Sequence, residues 1–203
     1  GVIDASTFTE VRNQMLKEVK TDWMMILDGD EIWTDEALIE SQKQMTADIH
    51  YLVNSYYNLV GDLYHYQDEN AGRYKIKSWT GHLNIRFINK NLIPGLHFAN
   101  PYGSEGPVDT QERSIQDVDA YRTKFVESKY FHTTHLTRSD KSGVMMREPK
   151  YKYELGHLFP NDFSFPKVFY LPNVNNPWTR RGLIFVLNAC WQTPLRHLKR
   201  LFI

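Results

Sequence analysis

Trp23-Met24-Met25-Ile26-Leu27-Asp28-Gly29-Asp30-Glu31 is the stretch that decides how the rest of the chain is read. Its unbroken apolar run has the pattern of a strand buried on both faces. The run stops at Asp28, so the carboxylates are expected at the carboxyl end of a central strand. Two acids separated by one residue can aim at a single point in front of a sheet. That point suits Mg2+ or Mn2+, which take oxygen ligands and are commonly held by one or two carboxylates plus substrate phosphates. Gly29 lets a ligand approach the backbone closely. The same acids can equally be turn formers that cap the following helix, and Asp-x-Asp alone does not choose.

Upstream, Thr7 and Glu10 have capping-box spacing. Phe8, Val11, Met15, Leu16 and Val19 then recur at three and four residues, which predicts a helix over about 8–20. Downstream, Thr34 followed by Asp35 and Glu36 reads as a cap and acidic first turn of a helix reaching about Thr46. Ile49 to Leu59 and His82 to Ile88 read as strands. The order helix, strand, helix, strand, strand favours a layered α/β sheet.

Residues 89–111 hold three prolines and three glycines with little periodicity, which predicts a long loop of the functional kind. Lys124 to Leu136 returns to strand character and carries His132 and His135. Pro149 suits the first turn of a helix through Leu155, stopped by Gly156. After Pro177 the chain turns apolar and basic.

The 203 residues suit one domain, and 24 Lys plus Arg against 24 Asp plus Glu leave no net charge to draw the protein to nucleic acid. Cys190, the single cysteine, cannot form an internal disulfide and suits a reducing compartment, so a cytoplasmic protein is expected. Within an apolar run it reads as an inert small hydrophobe. The chain opens at Gly1 without a methionine or signal segment, as expected of a fragment. Gly182 to Trp191 is shorter than the roughly 20 residues a bilayer crossing needs.

Other acidic-site chemistries fit less well. A calcium-binding EF-hand loop wants an acid or amide and then glycine where Ile32 and Trp33 stand. Glycosidase carboxylates flank a sugar at about 5 to 9.5 Å, which two adjacent loop acids do not supply without a distant partner. A phosphatase of the haloacid dehalogenase type stays open, although such enzymes usually have a threonine at the position of Ile32.

The extended string Arg12-Asn13 … Thr21-Asp22-Trp23-Met24-Met25-Ile26-Leu27-Asp28-Gly29-Asp30-Glu31 resembles the family-two glycosyltransferases of the GT-A fold. Arg86-Phe87-Ile88-Asn89-Lys90 with Tyr102-Gly103-Ser104-Glu105 resembles their acceptor strand and loop, and Lys129 to Ser139 their later histidine-bearing strand. The resemblance covers roughly residues 8–157. It implies a GT-A-like mixed sheet flanked by helices over 1–170, lacking the first strand-helix-strand nucleotide-binding unit, and a helical, apolar and basic extension over 171–203.

It further implies a nucleotide-sugar donor, a divalent ion (Mn2+ or Mg2+), and a carbohydrate, lipid-linked or protein acceptor. Asp30 would be the direct metal ligand and Asp28 would lie nearer the ribose and metal waters. Arg12 and Asn13 would lie beside the donor. Glu105 would be the general base, in competition with Asp109 and Glu112. One of His132 and His135 would complete the metal site, with His135 ranked slightly ahead on the family pattern. On a strand they point to opposite faces, and an isolated histidine is more often structural.

Trp79, His82 and Tyr102 are weak sugar-contact candidates, since aromatic residues flanking strands are more often core. The basic tail from Arg180 to Arg200 reads either as an amphipathic helix on the cytoplasmic face of a membrane or as a packing helix with a solvated basic face. A noncatalytic carbohydrate-binding fragment is the alternative to an enzyme.

Overall fold

The computed structural model describes residues 7–72, 74–136, 152–172 and 178–202. Its elements, in order, are α1 (Phe8–Glu18), β1 (Trp23–Met25), β2 (Glu31–Ile32), α2 (Asp35–Gln44), β3 (Tyr51–Val60), β4 (Asp62–Tyr66), β5 (Tyr74–Ile76), β6 (Trp79–Gly81) and β7 (Leu83–Asn89). They continue with β8 (His97–Ala99), β9 (Gly106–Val108), β10 (Thr123–His135), β11 (His157–Leu158) and α3 (Leu183–Leu201). The fold is mixed α/β. A seven-stranded sheet runs in the order β1-β7-β3-β10-β2, and β4 extends from the far end of β3 to pair with β11. Among the described strands of this sheet only β3 and β10 are parallel; the other pairs are antiparallel.

The strand buried on both faces is β3. Tyr51 and Val53 enter one core with Ile88, Ile93 and Phe98, against which Leu16 of α1 and Val19 just beyond it rest. Leu52 enters another with Phe87 and Val126, covered by Trp33 and Met45 on the α2 side. A third core is largely aromatic: Phe131, Phe159 and Phe169 are buried with Tyr57, Phe163, Phe165 and Trp178 around them. Much of the chain's aromatic content is spent there, as packing.

The sequence-based placement of β1 needs correction. It is three residues long, lies at the edge of the sheet and pairs only with β7 among the described strands. Met24 and Ile26 are buried in the first core and Trp23 and Met25 rest partly buried against the second, so the run does meet core on both faces, but at the edge of the sheet, and Leu27 beyond it is 61% exposed. Thr7 begins α1 without a side-chain cap because it is already helical in φ and ψ. Thr34 does cap α2, accepting from Ala37 N at 3.1 Å.

Residues 89–111 contain the β8–β9 hairpin rather than a loop alone, with His97 opposite Val108. The helix predicted from Pro149 begins outside the described residues, and 152–156 is not helical. Cys190 is exposed, not an inert core residue. Among the described residues no helix is long and apolar enough to cross a membrane.

Candidate functional site

The acidic run crosses the sheet from one edge to the other. Ile26 N donates to Arg86 O at 2.8 Å, prolonging the β1–β7 pairing. A tight turn follows, in which Glu31 N donates to Asp28 O at 3.2 Å. Glu31 then pairs with His132 and Ile32 with Phe131 on β10, and Thr133 N donates to Asp30 O at 2.8 Å. The backbone thereby fixes three neighbouring carboxylates over side chains from β7, β3 and β10.

Each acid meets a different environment. Both oxygens of Asp28 are taken by guanidinium groups, Oδ1 by Arg12 at 2.6 Å and Oδ2 by Arg86 at 2.9 Å. Asp30 accepts from the Thr134 hydroxyl and keeps a third of its side chain exposed. Glu31 has a fully buried side chain, ion-paired to Arg86 and bonded by the Tyr130 hydroxyl at 3.2 Å. Trp33 closes over it, stacked on Tyr130 with ring centroids 4.4 Å apart. Burial pushes the Glu31 carboxyl above its ordinary value, with Arg86 pulling the other way.

The histidine at this site is His132. Its Nε2 lies 3.9 Å from Asp30 Oδ2, and its ring sits 5.0 Å from that of Tyr56. Burial lowers its pKa, although Asp30 opposes the shift, so the imidazole is neutral at pH 7. Its Nδ1 is buried with no hydrogen-bond partner among the described residues. His135, ranked first from sequence, is buried in register with Val60 of β3, beyond an irregularity in the strand.

Arg12 does reach the acids, and its guanidinium also lies over the rings of Phe8 and Phe98. Asn13, one residue on, clamps the backbone of Phe98: Nδ2 donates to its carbonyl at 2.9 Å and Oδ1 accepts from its N–H at 2.7 Å. Asn13 is therefore a structural tie to β8 and not a free group beside a ligand. Together the two residues couple the β8–β9 hairpin to Asp28 through one turn of α1.

The three acids proposed as base separate cleanly. Asp109 is buried and accepts from Arg113 Nη2 at 2.6 Å, Arg113 Nε at 3.0 Å, Gln111 N at 2.9 Å and Tyr121 Oη at 3.2 Å. The Arg113 bonds chiefly hold its carboxyl down to about 2. An acid so occupied has neither the basicity nor the access a general base needs, so Asp109 is corrected to a loop staple. Glu112 is paired with His97. Glu105 is half-buried at the hairpin turn, where it accepts from Gly103 N.

The aromatic candidates also resolve. Trp79 stacks on Phe125 at 5.5 Å in the core, and His82 is buried with Nε2 donating to Asp68 O at 3.0 Å. Tyr102 meets Phe8 edge-on at 4.9 Å. Sequence reasoning placed Glu31 in the acidic run without a role of its own and did not assign Arg86, Tyr130 or Thr134 to the site. A charged residue at a buried position of an otherwise apolar strand was the one available signal, and it pointed to Arg86.

Among the described residues no three His, Cys, Asp or Glu side chains converge as a metal-ligand set. A closed protein cage for a cation does not fit. Asp30 with the His132 Nε2 that faces it at 3.9 Å does fit as the protein's share of a site shared with waters and ligand phosphates; the unsatisfied Nδ1 is the ring's other, buried nitrogen. Asp28, held by two guanidiniums, is not an available ligand in this arrangement. No protein-family model matches the chain, and neither a curated protein nor a solved structure is similar to it.

Proposed function

We propose that the protein is a metal-dependent, inverting glycosyltransferase with a GT-A-like fold, moving a sugar from a nucleotide-sugar donor to an acceptor hydroxyl. The observation that carries this reading is the placement of a partly exposed Asp30 beside the largely buried His132, next to guanidiniums that Asp28 holds in place. A nucleoside diphosphate needs both elements. Its charge calls for a cation, and carboxylates alone would repel it.

Asp30 and His132 would hold a Mn2+ or Mg2+ ion, whose Lewis acidity would offset charge on the departing diphosphate. The Arg12 guanidinium, 15% exposed, is the cationic side chain best placed to meet a phosphate oxygen. Arg86 is more deeply buried and positions Asp28 and Glu31. Glu105 would accept the proton of the acceptor hydroxyl: its bond is to one backbone N–H, whereas Asp109 is saturated by Arg113 and Tyr121 and Glu112 is paired with a histidine. A phosphatase mechanism would need an Asp28 oxygen free for attack, and both are held by arginines.

The test is calorimetric titration of Mn2+ and a panel of nucleoside diphosphates into the protein and into Asp30→Ala. Nucleotide binding that requires Mn2+ and disappears in the variant is expected. Unchanged binding in Asp30→Ala would remove that residue, and with it this reading of the site.

A further inference from the structure

Helix α3 is bound on one side and bare on the other. Inward, Ala189 is fully buried and Phe185 lies against Gly61, while Leu155 N donates to Thr193 Oγ1 at 2.9 Å. Arg200 makes a two-point bond to the buried Glu154, at 2.7 and 2.9 Å. Outward stand Ile184, Leu187, Trp191, Leu195, Leu198 and Phe202, with exposures between 50% and 81%. Their spacing of three and four residues places them on a single helical face. Folded monomers seldom leave a contiguous apolar stripe of this kind in water.

The charge around the stripe selects what covers it. Asp162 is the last acidic residue of the chain, and Lys167, Arg180, Arg181, Arg196, Lys199 and Arg200 follow it. Arg181 and Arg200 are turned inward onto Glu154, Leu155 and their neighbours. Lys199 is exposed beside the stripe, and Arg180, also exposed, lies just before the helix with its guanidinium 4.9 Å over the Tyr64 ring. A second copy would bring the same uncompensated cations to a shared interface, where they repel. An anionic lipid surface offers both a boundary for the apolar face and countercharge for the margins.

We propose that α3 is an interfacial anchor that lies in the plane of an anionic membrane surface. Its Leu, Ile, Trp and Phe side chains enter the headgroup–acyl boundary, and Lys199 sits at the level of the phosphates. Trp191, apolar with a single polar edge, belongs at that boundary. Because Glu154 and Gly61 fix the inner side of α3, the helix carries the sheet with it and holds the domain at a set angle to the surface.

The test is co-sedimentation of the full chain with phosphatidylcholine vesicles and with vesicles containing phosphatidylserine. Binding to the second kind alone is expected, weakening as salt is raised. Lys199→Gln should lower partitioning about fivefold, the worth of one cation near an anionic surface. Leu187→Glu with Leu198→Glu, both at exposed positions and checked for an unchanged circular dichroism spectrum, should abolish it. Brominated lipid should quench tryptophan emission of the protein but not of Trp191→Phe.

Failure to bind either vesicle overturns the proposal. Equal binding to both vesicles removes its electrostatic part, and binding that survives the double substitution overturns insertion of the stripe. A sedimentation-equilibrium dimer that the double substitution splits, without vesicle binding, assigns the face to a second copy instead.

Discussion

His132 stands 3.9 Å from Asp30 because the strand pairing sets Glu31 directly across from it. The relationship is made by backbone, with β2 and β10 registered residue to residue and Thr133 fastened to the Asp30 carbonyl. A carboxylate and a neutral imidazole are thereby brought together without bonding to each other. Thr134 holds one Asp30 oxygen and orients the group.

Removing that orienting hydroxyl gives the first prediction. Thr134→Val should leave the fold intact and weaken Mn2+ binding about 10–100-fold, the usual cost of losing a partner of a metal ligand. Thr134→Ser should restore it. Titration of Mn2+ into the three proteins checks both expectations, and an unchanged affinity in the valine variant would detach Asp30 from any metal role.

Arg86 is the electrostatic keystone of the acidic run. Its guanidinium serves Asp28 and the buried Glu31 at once. Arg86→Met strands the Glu31 carboxylate in an apolar site, and the loss of one partner from a buried pair costs about 3–5 kcal/mol. Adding Glu31→Gln removes the stranded charge and should return a substantial part of that stability. Urea unfolding of the single and double variants measures the difference.

Much of the sheet was legible because its inner strands announce themselves. β3 is buried through nearly its whole length and reads as a strand from its aromatic and apolar residues, although Asn54, Ser55 and Asn58 interrupt them. The strand carrying the acids was misplaced because five apolar residues look the same at an edge as in the centre. Only the outward turn of Leu27 separates the two cases. The β8–β9 hairpin was hidden by prolines and glycines, which signal turns without showing that three-residue strands join them.

Alternation predicts opposite faces for His132 and His135, but the strand is irregular between them, three residues of β10 spanning two of β3, and which one meets Asp30 depends on the register of β2, a two-residue strand inside the acidic run itself. Asp28 shows the same limit. Its neighbours in sequence say carboxylate cluster, whereas its arginine partners come from 16 residues upstream and 58 downstream.

Asp109 and Glu105 give a paired prediction. Glu105→Gln should reduce sugar transfer about 10²–10⁴-fold, the range for losing a general base, with stability unchanged. Asp109→Asn should instead lower the denaturation midpoint, because Arg113 and Tyr121 lose a shared acceptor. Kinetics and urea melts on both variants separate a chemical role from a structural one.

Gly61 is required on two counts. Its φ of +79° lies in the left-handed region, and an added Cβ would come within 2.6 Å of the Phe185 ring. Gly61→Ala should therefore destabilise by about 1–3 kcal/mol. Pairing it with Phe185→Ala should remove the steric share and leave the backbone share. Thermal unfolding of the double variant against Phe185→Ala alone tests this: a cost there as large as in the wild-type background would show that the ring contact is irrelevant.

His82 predicts a specific acid sensitivity. It is buried, and burial chiefly lowers its pKa from 6.5 to about 4. The unfolded chain therefore binds a proton that the folded one refuses between those values. The stability this group contributes is fully present above pH 6.5 and is lost as pH falls toward 4. Two and a half units correspond to about 3 kcal/mol at most. His82→Gln keeps a donor for the Asp68 carbonyl but cannot titrate, so its unfolding free energy should fall less than the wild type's between pH 7 and pH 4. Identical slopes for the two proteins across that window would mean that His82 is protonated in the folded state.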